Sequence, residues 1–180
     1  MQDLLLIPLN YFNILDDVEI MNKLNIQIKD NFFTKKEYSI LVNNLNKIHW
    51  SPSMNDMGNY GFSHVFEKTN KNKWLFDKIK LQFFPDKKLK IQSARFNVRH
   101  NKKEVKPHLD DISKYNCLIY LKGEELTYNG TGFYTKGNLN TYVGFTENRA
   151  LFFNGRYVYH SDLQALGPSS SRYSLNIFYS

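Results

Sequence analysis

From about residue 89 onward the sequence alternates with a period of two, and this change of period constrains the fold more than any other feature. Leu89, Ile91, Ser93, Arg95, Asn97 and Arg99 share one face of an extended segment, and Gln92, Ala94, Phe96 and Val98 share the other, because successive strand side chains point to opposite faces. Arg95, Asn97 and Arg99 either line a polar cavity or face solvent. Further short strands are expected at 115–121, 131–136, 141–145, 149–154, 157–161 and 172–179, with Gly123, Gly130, Gly132, Gly137, Gly144 and Gly155 in the gaps. Short strands punctuated in this way predict a sandwich or barrel.

The first half has a different texture. Residues 4–9 and 24–29 read as short strands. Thr34 and Glu37 have the spacing of a capping box, and Tyr38, Leu41, Val42, Leu45 and Ile48 follow as an apolar stripe, which predicts a helix over 35–48. Residues 51–60 are polar, with Pro and Gly, and read as a loop: a connector or a substrate lid. A second helix is expected at 71–83, with Trp74, Leu75, Ile79 and Phe83 on one face and Pro85 as its stop. At 180 residues the chain is read as one domain, in which 1–88 supports a core formed by 89–180. Aromatic residues make up 16% of the sequence, so the core is built largely of Phe and Tyr.

Within the β-rich half, His108-Leu109-Asp110 places an imidazole and a carboxylate on one face of an extended segment. A second imidazole, His160, follows in Tyr157-Val158-Tyr159-His160. Two His and one carboxylate on one side of a metal leave its other positions open, the facial arrangement that suits Fe(II). A lone His-x-Asp is a weak signal; the ordered set, with Arg172 on the final strand, is a stronger one.

At these residues the chain resembles the Fe(II)/2-oxoglutarate-dependent dioxygenases, in particular their prolyl 4-hydroxylase-like branch. Their pattern is a His-x-Asp, a distal His and a basic residue on the last core strand. Here these are His108, Asp110, His160 and Arg172, and the resemblance spans roughly residues 89–180. It implies a double-stranded β-helix (jelly roll) with the N-terminal helices packed on one sheet. It implies Fe(II), 2-oxoglutarate and O2 as cofactor and co-substrates, with ascorbate as an optional reductant. The product expected is a hydroxylated C–H of a peptidyl substrate, prolyl included, or of a small-molecule substrate, with succinate and CO2. Arg172 is expected to hold the far carboxylate of 2-oxoglutarate, because guanidinium matches a carboxylate in bidentate geometry and keeps its charge when buried. Ser174, on the same face, and Tyr120 are expected to add hydroxyl contacts. Phe96 falls where relatives often carry a co-substrate tyrosine; Phe lacks the hydroxyl, so that contact is expected to be missing or supplied elsewhere.

Other features narrow the substrate without naming it. The position six after Arg172 is Phe178, where the nucleic-acid demethylases of this family carry a second Arg. No Lys follows His160, whereas collagen-type prolyl hydroxylases use Lys as the carboxylate partner. Nucleic acid is therefore disfavoured as a partner despite a net charge of +7. His49, His64 and His100 have no partner at ligand spacing and read as structural; Asp111 points away from the triad face. Gly130-Thr131-Gly132 is a turn, not a phosphate loop. One cysteine, Cys117, excludes an internal disulfide. No secretory signal or membrane span is legible, so a soluble, cytoplasmic protein is expected. The competing readings are a non-catalytic jelly-roll binding or structural module and a nucleic-acid-directed dioxygenase. A cupin is disfavoured, since His108-Leu109-Asp110 is not a His-x-His pair.

Overall fold

The computed structural model describes residues 24–54, 60–99, 106–110, 113–126, 129–163 and 171–180. The strand expected at 4–9, the middle of the 51–60 segment, His100 and Asp111 lie outside them. Ten strands and two longer helices follow in the order β1 (Gln27–Lys29), α1 (Lys35–Leu45), β2 (Ser51–Met54), β3 (Tyr60–Val65), α2 (Lys73–Phe83), β4 (Ile91–Arg99), β5 (Tyr115–Lys122), β6 (Thr131–Thr135), β7 (Asn138–Val143), β8 (Ala150–Phe153), β9 (Tyr159–Asp162) and β10 (Arg172–Tyr179).

Two antiparallel sheets face each other. The major sheet runs β1-β8-β5-β10-β4-β3-β2, and the minor one β7-β6-β9. A single antiparallel bridge between His108 and His160 adds a further backbone segment beside β9. Interleaving of sequence-distant strands across two sheets is the jelly-roll arrangement, with helices packed on one sheet. The major sheet is apolar on its outer face, where Phe96, Cys117, Ile119, Phe152, Leu175 and Ile177 pack against Leu41, Leu75, Phe76 and Ile79 of the helices. A second cluster, between the sheets, joins Leu118, Tyr120, Phe133, Val143, Phe145, Leu151 and Phe153. Each such side chain removed from water contributes roughly 1.5–3 kcal/mol. Aromatic stacking, as of Phe83 on Phe152 at 5.3 Å, fills the helix-side layer.

The elements differ from expectation where local chemistry or a remote partner overrides periodicity. The capping box forms as expected: Thr34 Oγ1 accepts from Glu37 N at 3.3 Å, and Thr34 N donates to the Glu37 carboxylate at 2.8 Å. The helix, however, stops at Leu45 rather than 48, with Asn46 as C-cap. Asn43, Asn44 and Asn46 are poor helix formers because their side chains compete for the backbone. Helix α2 starts at 73 rather than 71. The Asn72 side chain accepts from Thr69 N and donates to Glu67 O, holding the preceding chain in a turn. Part of the expected 51–60 loop is a strand: Ser51–Met54 pairs with Tyr60–Val65. Pro52 is tolerated there because β2 is the sheet edge, where no further ladder bond is needed. The β6–β7 hairpin turns on Lys136 and Gly137, both with positive φ (53° and 82°), the geometry of a two-residue turn that matches strand twist. Strand β7 therefore begins at 138, not 141. The 157–161 strand starts only at Tyr159, because Val158 N closes a turn onto Asn154 O.

Candidate metal centre

The inner face of the major sheet is polar toward one end. Arg95, Asn97 and Arg99 of β4, with Asn176 and Phe178 of β10, line a cavity of about 290 Å³ whose other wall carries His108, Asp110, His160 and Asp162. Of the two environments open to the polar face of β4, Asn97 and Arg99 adopt the cavity, while Arg95 lines it and is exposed to solvent as well.

His108, Asp110 and His160 come together at this cavity, each able to offer one ligand atom, and those atoms lie within 4.8 Å of one another. Residues 107–110 form no regular strand. Instead, His108 and His160 exchange both backbone hydrogen bonds at 3.0 Å, and Asp110 N donates to Gly155 O at 2.9 Å. These bonds hold the His-x-Asp segment extended across the turn that follows β8. Gly155 also leaves room for the site: a Cβ there would lie 2.7 Å from Asn116 Nδ2 and 2.8 Å from Asp110 Oδ2.

The second ring nitrogen of each His is already committed. His108 Nδ1–H donates to Lys106 O at 3.1 Å, and His160 Nδ1–H donates to Val158 O at 2.9 Å. Each imidazole therefore turns its Nε2 lone pair toward the cavity, the tautomer a metal requires. His160 Nε2 lies 3.3 Å from Asp110 Oδ2. Two lone-pair atoms at that separation need a shared proton or a cation between them, and a divalent ion supplies the latter. The carboxylate is steered by Asn116 Nδ2, which donates to Asp110 Oδ2, while Ser113 Oγ donates to Asn116 Oδ1 at 2.8 Å. Burial raises the Asp110 pKa, but the His160 and Asn116 hydrogen bonds and the neighbouring imidazoles outweigh it and hold the group below the ordinary carboxylate value. Burial, then the charge of His160, lowers the pKa of His108. An ionised Asp110 and a His108 kept neutral by burial are the states in which these groups bind a metal, and the proton that His160 Nε2 shares with Asp110 in the metal-free site is the one a metal ion would replace. Two imidazoles and one carboxylate, open on the cavity side, fit Fe(II).

Arg172 is buried, with 2% of its surface exposed. Its Nη1 donates to Asn129 O at 3.0 Å and Gly130 O at 2.8 Å, and its Nη2 pairs with the Asp162 carboxylate. Asp162 in turn reaches Arg99, whose Nε lies 3.6 Å from its Oδ2. Burial pushes the Asp162 pKa up, but the two guanidinium charges prevail and keep it below the ordinary carboxylate value. The Tyr120 hydroxyl, fully buried, is hydrogen-bonded to Thr131 Oγ1 at 2.8 Å, and its ring lies 5.6 Å from the Arg172 guanidinium. Ser174 Oγ donates to Asn176 Oδ1 at 2.9 Å. Arg172, Tyr120 and Ser174 thus stand at one end of the inter-sheet space, hydrogen-bonded to protein partners except at Arg172 Nε, which is buried without one.

Phe96 makes no co-substrate contact, in keeping with its lack of a hydroxyl. It is on the outer face of β4, in the helix-side core against Phe66 at 4.8 Å, and so cannot take a co-substrate tyrosine's place. His64 Nδ1 donates to His49 O at 2.9 Å, far from the triad in the sheet order. Sequence reasoning passed over Asp162 and Asn116. Asp162 is two residues after His160 on the same strand, so period two does place it on the ligand face; nothing in the sequence says that Arg99 and Arg172 converge on it.

No protein-family model and no curated protein matches the sequence. Solved structures do match. A 2OG-Fe(II) oxygenase family oxidoreductase from Burkholderia pseudomallei aligns with a TM-score of 0.65 at 12% identity, over 95% of this chain and 92% of that one. A prolyl hydroxylase from Trichoplax adhaerens, in complex with a hypoxia inducible factor oxygen degradation domain peptide fragment, aligns at 0.63 and 12%, over 92% and 87%. HygX from Streptomyces hygroscopicus, with nickel, 2-oxoglutarate and hygromycin B bound, aligns at 0.68 and 10%, over 91% and 86%. At these identities the likeness establishes the fold: this chain has the double-stranded β-helix fold of the 2OG-Fe(II) oxygenases.

Proposed function

We propose that this chain is an Fe(II)- and 2-oxoglutarate-dependent oxygenase that hydroxylates an unactivated C–H of a peptidyl or small-molecule substrate, releasing succinate and CO2. The observation that carries this reading is the His108–Asp110–His160 set with its Nε2 atoms and carboxylate turned into a cavity whose lining includes Arg99 and Asp162, the carboxylate that also pairs with buried Arg172. His108, Asp110 and His160 hold the metal. The Arg99–Asp162–Arg172 end receives the far carboxylate of 2-oxoglutarate, with Tyr120 and Ser174 supporting that end from behind. When bound, the iron and its 2-oxo acid supply the oxidising chemistry for which protein side chains have no equivalent.

The remaining work belongs to the chain. Lys106 O and Val158 O fix the imidazole tautomers, and Asn116 fixes the carboxylate. The inter-sheet apolar cluster beneath His160, including Phe153 at 4.8 Å from its ring, keeps bulk water from that side. Arg95 and Phe178, toward the cavity mouth, contact the substrate. The related peptide and hygromycin complexes are consistent with either substrate class. Phe178, rather than a second cation, disfavours nucleic acid. The catalytic unit is taken as one domain, with residues 89–180 holding the site and 1–88 supporting it. Among the described residues no helix is long and apolar enough to cross a membrane.

The test is consumption of 2-oxoglutarate and formation of succinate by protein supplied with Fe(II), O2 and ascorbate. Turnover in the wild type that is lost in His108→Ala and Asp110→Ala is expected. Equal succinate from those variants would sink the proposal.

A further inference from the structure

The inner face of the major sheet is packed against apolar side chains over only part of its width. The cluster between the sheets draws on the β1-β8-β5 side, through Ile28, Leu118, Tyr120, Leu151 and Phe153. Among the described residues, no inner-face side chain of β2, β3 or β4 belongs to it. There the register places Ser63 beside Asn97, Val65 beside Arg95, and Ser51 beside Ser63 at the sheet edge. Hydroxyls, amides and a guanidinium give a facing sheet little apolar area to bury, so this side of the inner face is left as a groove. Arg95 and Asn97 border the metal cavity, and Ser51, Ser63 and Val65 border a second, more open hollow of about 600 Å³. The two hollows adjoin across the β3–β4 pairing.

Charge is spread unevenly along this groove. Arg99 and Arg172 share the Asp162 carboxylate. Arg95 is exposed, and among the described residues its guanidinium makes no ion pair or hydrogen bond. Its neighbours across the strands, Asn176 and Val65, carry no charge, and Val65 is 59% exposed. Arg95 stands on the wall shared with His108, Asp110 and His160, so it meets whatever enters there. An unpaired guanidinium beside an uncovered valine offers an incoming chain a partner for a carboxylate and an apolar contact together.

The register also sets a distance. Asn116, which donates to Asp110, pairs with Phe178, and Phe178 pairs with Ser93. Arg95 is therefore two residues and two strands from Asn116, roughly 12 Å at about 3.3 Å per residue and 4.8 Å per strand. From β5 to the β2 edge is four strand spacings, roughly 19 Å, the length of about six extended residues. We propose, resting on the oxygenase reading, that the substrate is an acidic peptide lying extended across this groove. Arg95 takes an Asp or Glu side chain about three or four residues from the residue that is hydroxylated. The hollow beside Val65 receives the chain beyond that acidic residue.

The experiment is affinity selection of a random-sequence decapeptide library on protein loaded with Fe(II) and 2-oxoglutarate, without O2. Salt is held at about 0.15 M, so that long-range attraction to the basic surface is screened. Wild type is expected to enrich Asp and Glu at one position of a shared motif. Arg95→Gln should lose that preference, and Arg95→Glu should replace it with Lys and Arg at the same position. A retained acidic peptide, resynthesised, should bind Arg95→Gln roughly tenfold more weakly, the lower end for a hydrogen bond to a charged group. Fe(II) and 2-oxoglutarate affinities of both variants should match wild type, which shows that the site is folded. Lys80→Glu, the same charge change at an exposed residue of α2, should leave the selected motif unchanged. Peptides retained with no acidic preference, or an acidic preference that survives Arg95→Glu, overturn the assignment. A wild type that binds 2-oxoglutarate yet retains no peptide overturns it too and leaves a small molecule as substrate. Absence of 2-oxoglutarate binding in the wild type removes the oxygenase reading itself, a result distinct from the others.

Discussion

At the scale of single residues, the metal centre depends on groups that never touch the metal. Asn116 donates to Asp110 and accepts from Ser113; removing it frees the carboxylate to rotate. Asn116→Ala is expected to weaken Fe(II) binding by about 10–100-fold with little change in melting temperature, measured by metal titration beside a thermal melt. The His ligands bind only when neutral. Because burial and His160 depress the pKa of His108, proton competition at that residue sets in below the ordinary value of 6.5. Metal affinity should therefore hold as pH falls from 7.5 toward 6.5 as far as His108 is concerned, and drop below that. A titration series across pH checks the sign. The ligands were legible in the sequence because His108 and Asp110 are neighbours by period two and His160 sits on a recognisable strand. Asn116 was not legible as a site residue, and Arg99 was legible only as one of a polar face that lines a cavity or meets solvent. Their partners come from other strands, and a sequence without the register cannot say that a polar residue on an inward face meets Asp110 or Asp162.

At the scale of elements, the helices serve the site from the far side of the sheet. Ile79 and Leu75 of α2 are fully buried against the outer face of the strands that carry Arg99 and Arg172. Ile79→Ala should cost about 2–5 kcal/mol of stability through loss of burial and the cavity left behind. The folded fraction should keep its Fe(II) affinity, because no ligand is on that face; chemical denaturation and metal titration on one sample separate the two. Thr34→Ala, which removes the N-cap of α1, should cost about 1 kcal/mol. Both helices were readable from apolar spacing and capping, since those signals are local. Their ends were not, because runs of Asn and the turn built by Asn72 act through side-chain bonds to backbone. The 51–54 strand was missed for a different reason: a Pro-bearing polar segment is a strand only if a partner, here β3, is present to pair with it. Phe96 shows the same limit on the other face. Relatives carry a co-substrate tyrosine near its position along the chain, but Phe96 has no hydroxyl and its face sends it to the helix-side core.

At the scale of the whole molecule, the support segment and the core are one packing unit. Strands β1, β2 and β3 and both helices come from residues before 89, yet they complete the major sheet and cover its outer face. A fragment of residues 89–180 would expose Phe96, Ile119, Phe152, Leu175 and Ile177 together, and it is expected to aggregate or remain unfolded by circular dichroism. Stability should also depend on acid. Asp110 and Asp162 have pKa values lowered by their charged and hydrogen-bonding neighbours against the opposing effect of burial. A carboxylate whose folded-state pKa is depressed contributes stability that is present above its unfolded value and is lost as pH falls through the folded one. Melting temperature should therefore decline as pH is taken below about 4, and Asp162→Asn should flatten that decline. The measurement that meets the central claim most directly is an anaerobic titration of the protein with Fe(II) and then 2-oxoglutarate, followed by visible absorption of the chelate. The oxygenase account predicts a weak visible band in the wild type that is absent in His160→Ala. Bound iron with no such band at saturating 2-oxoglutarate would contradict it and favour a metal-binding module without oxygenase chemistry.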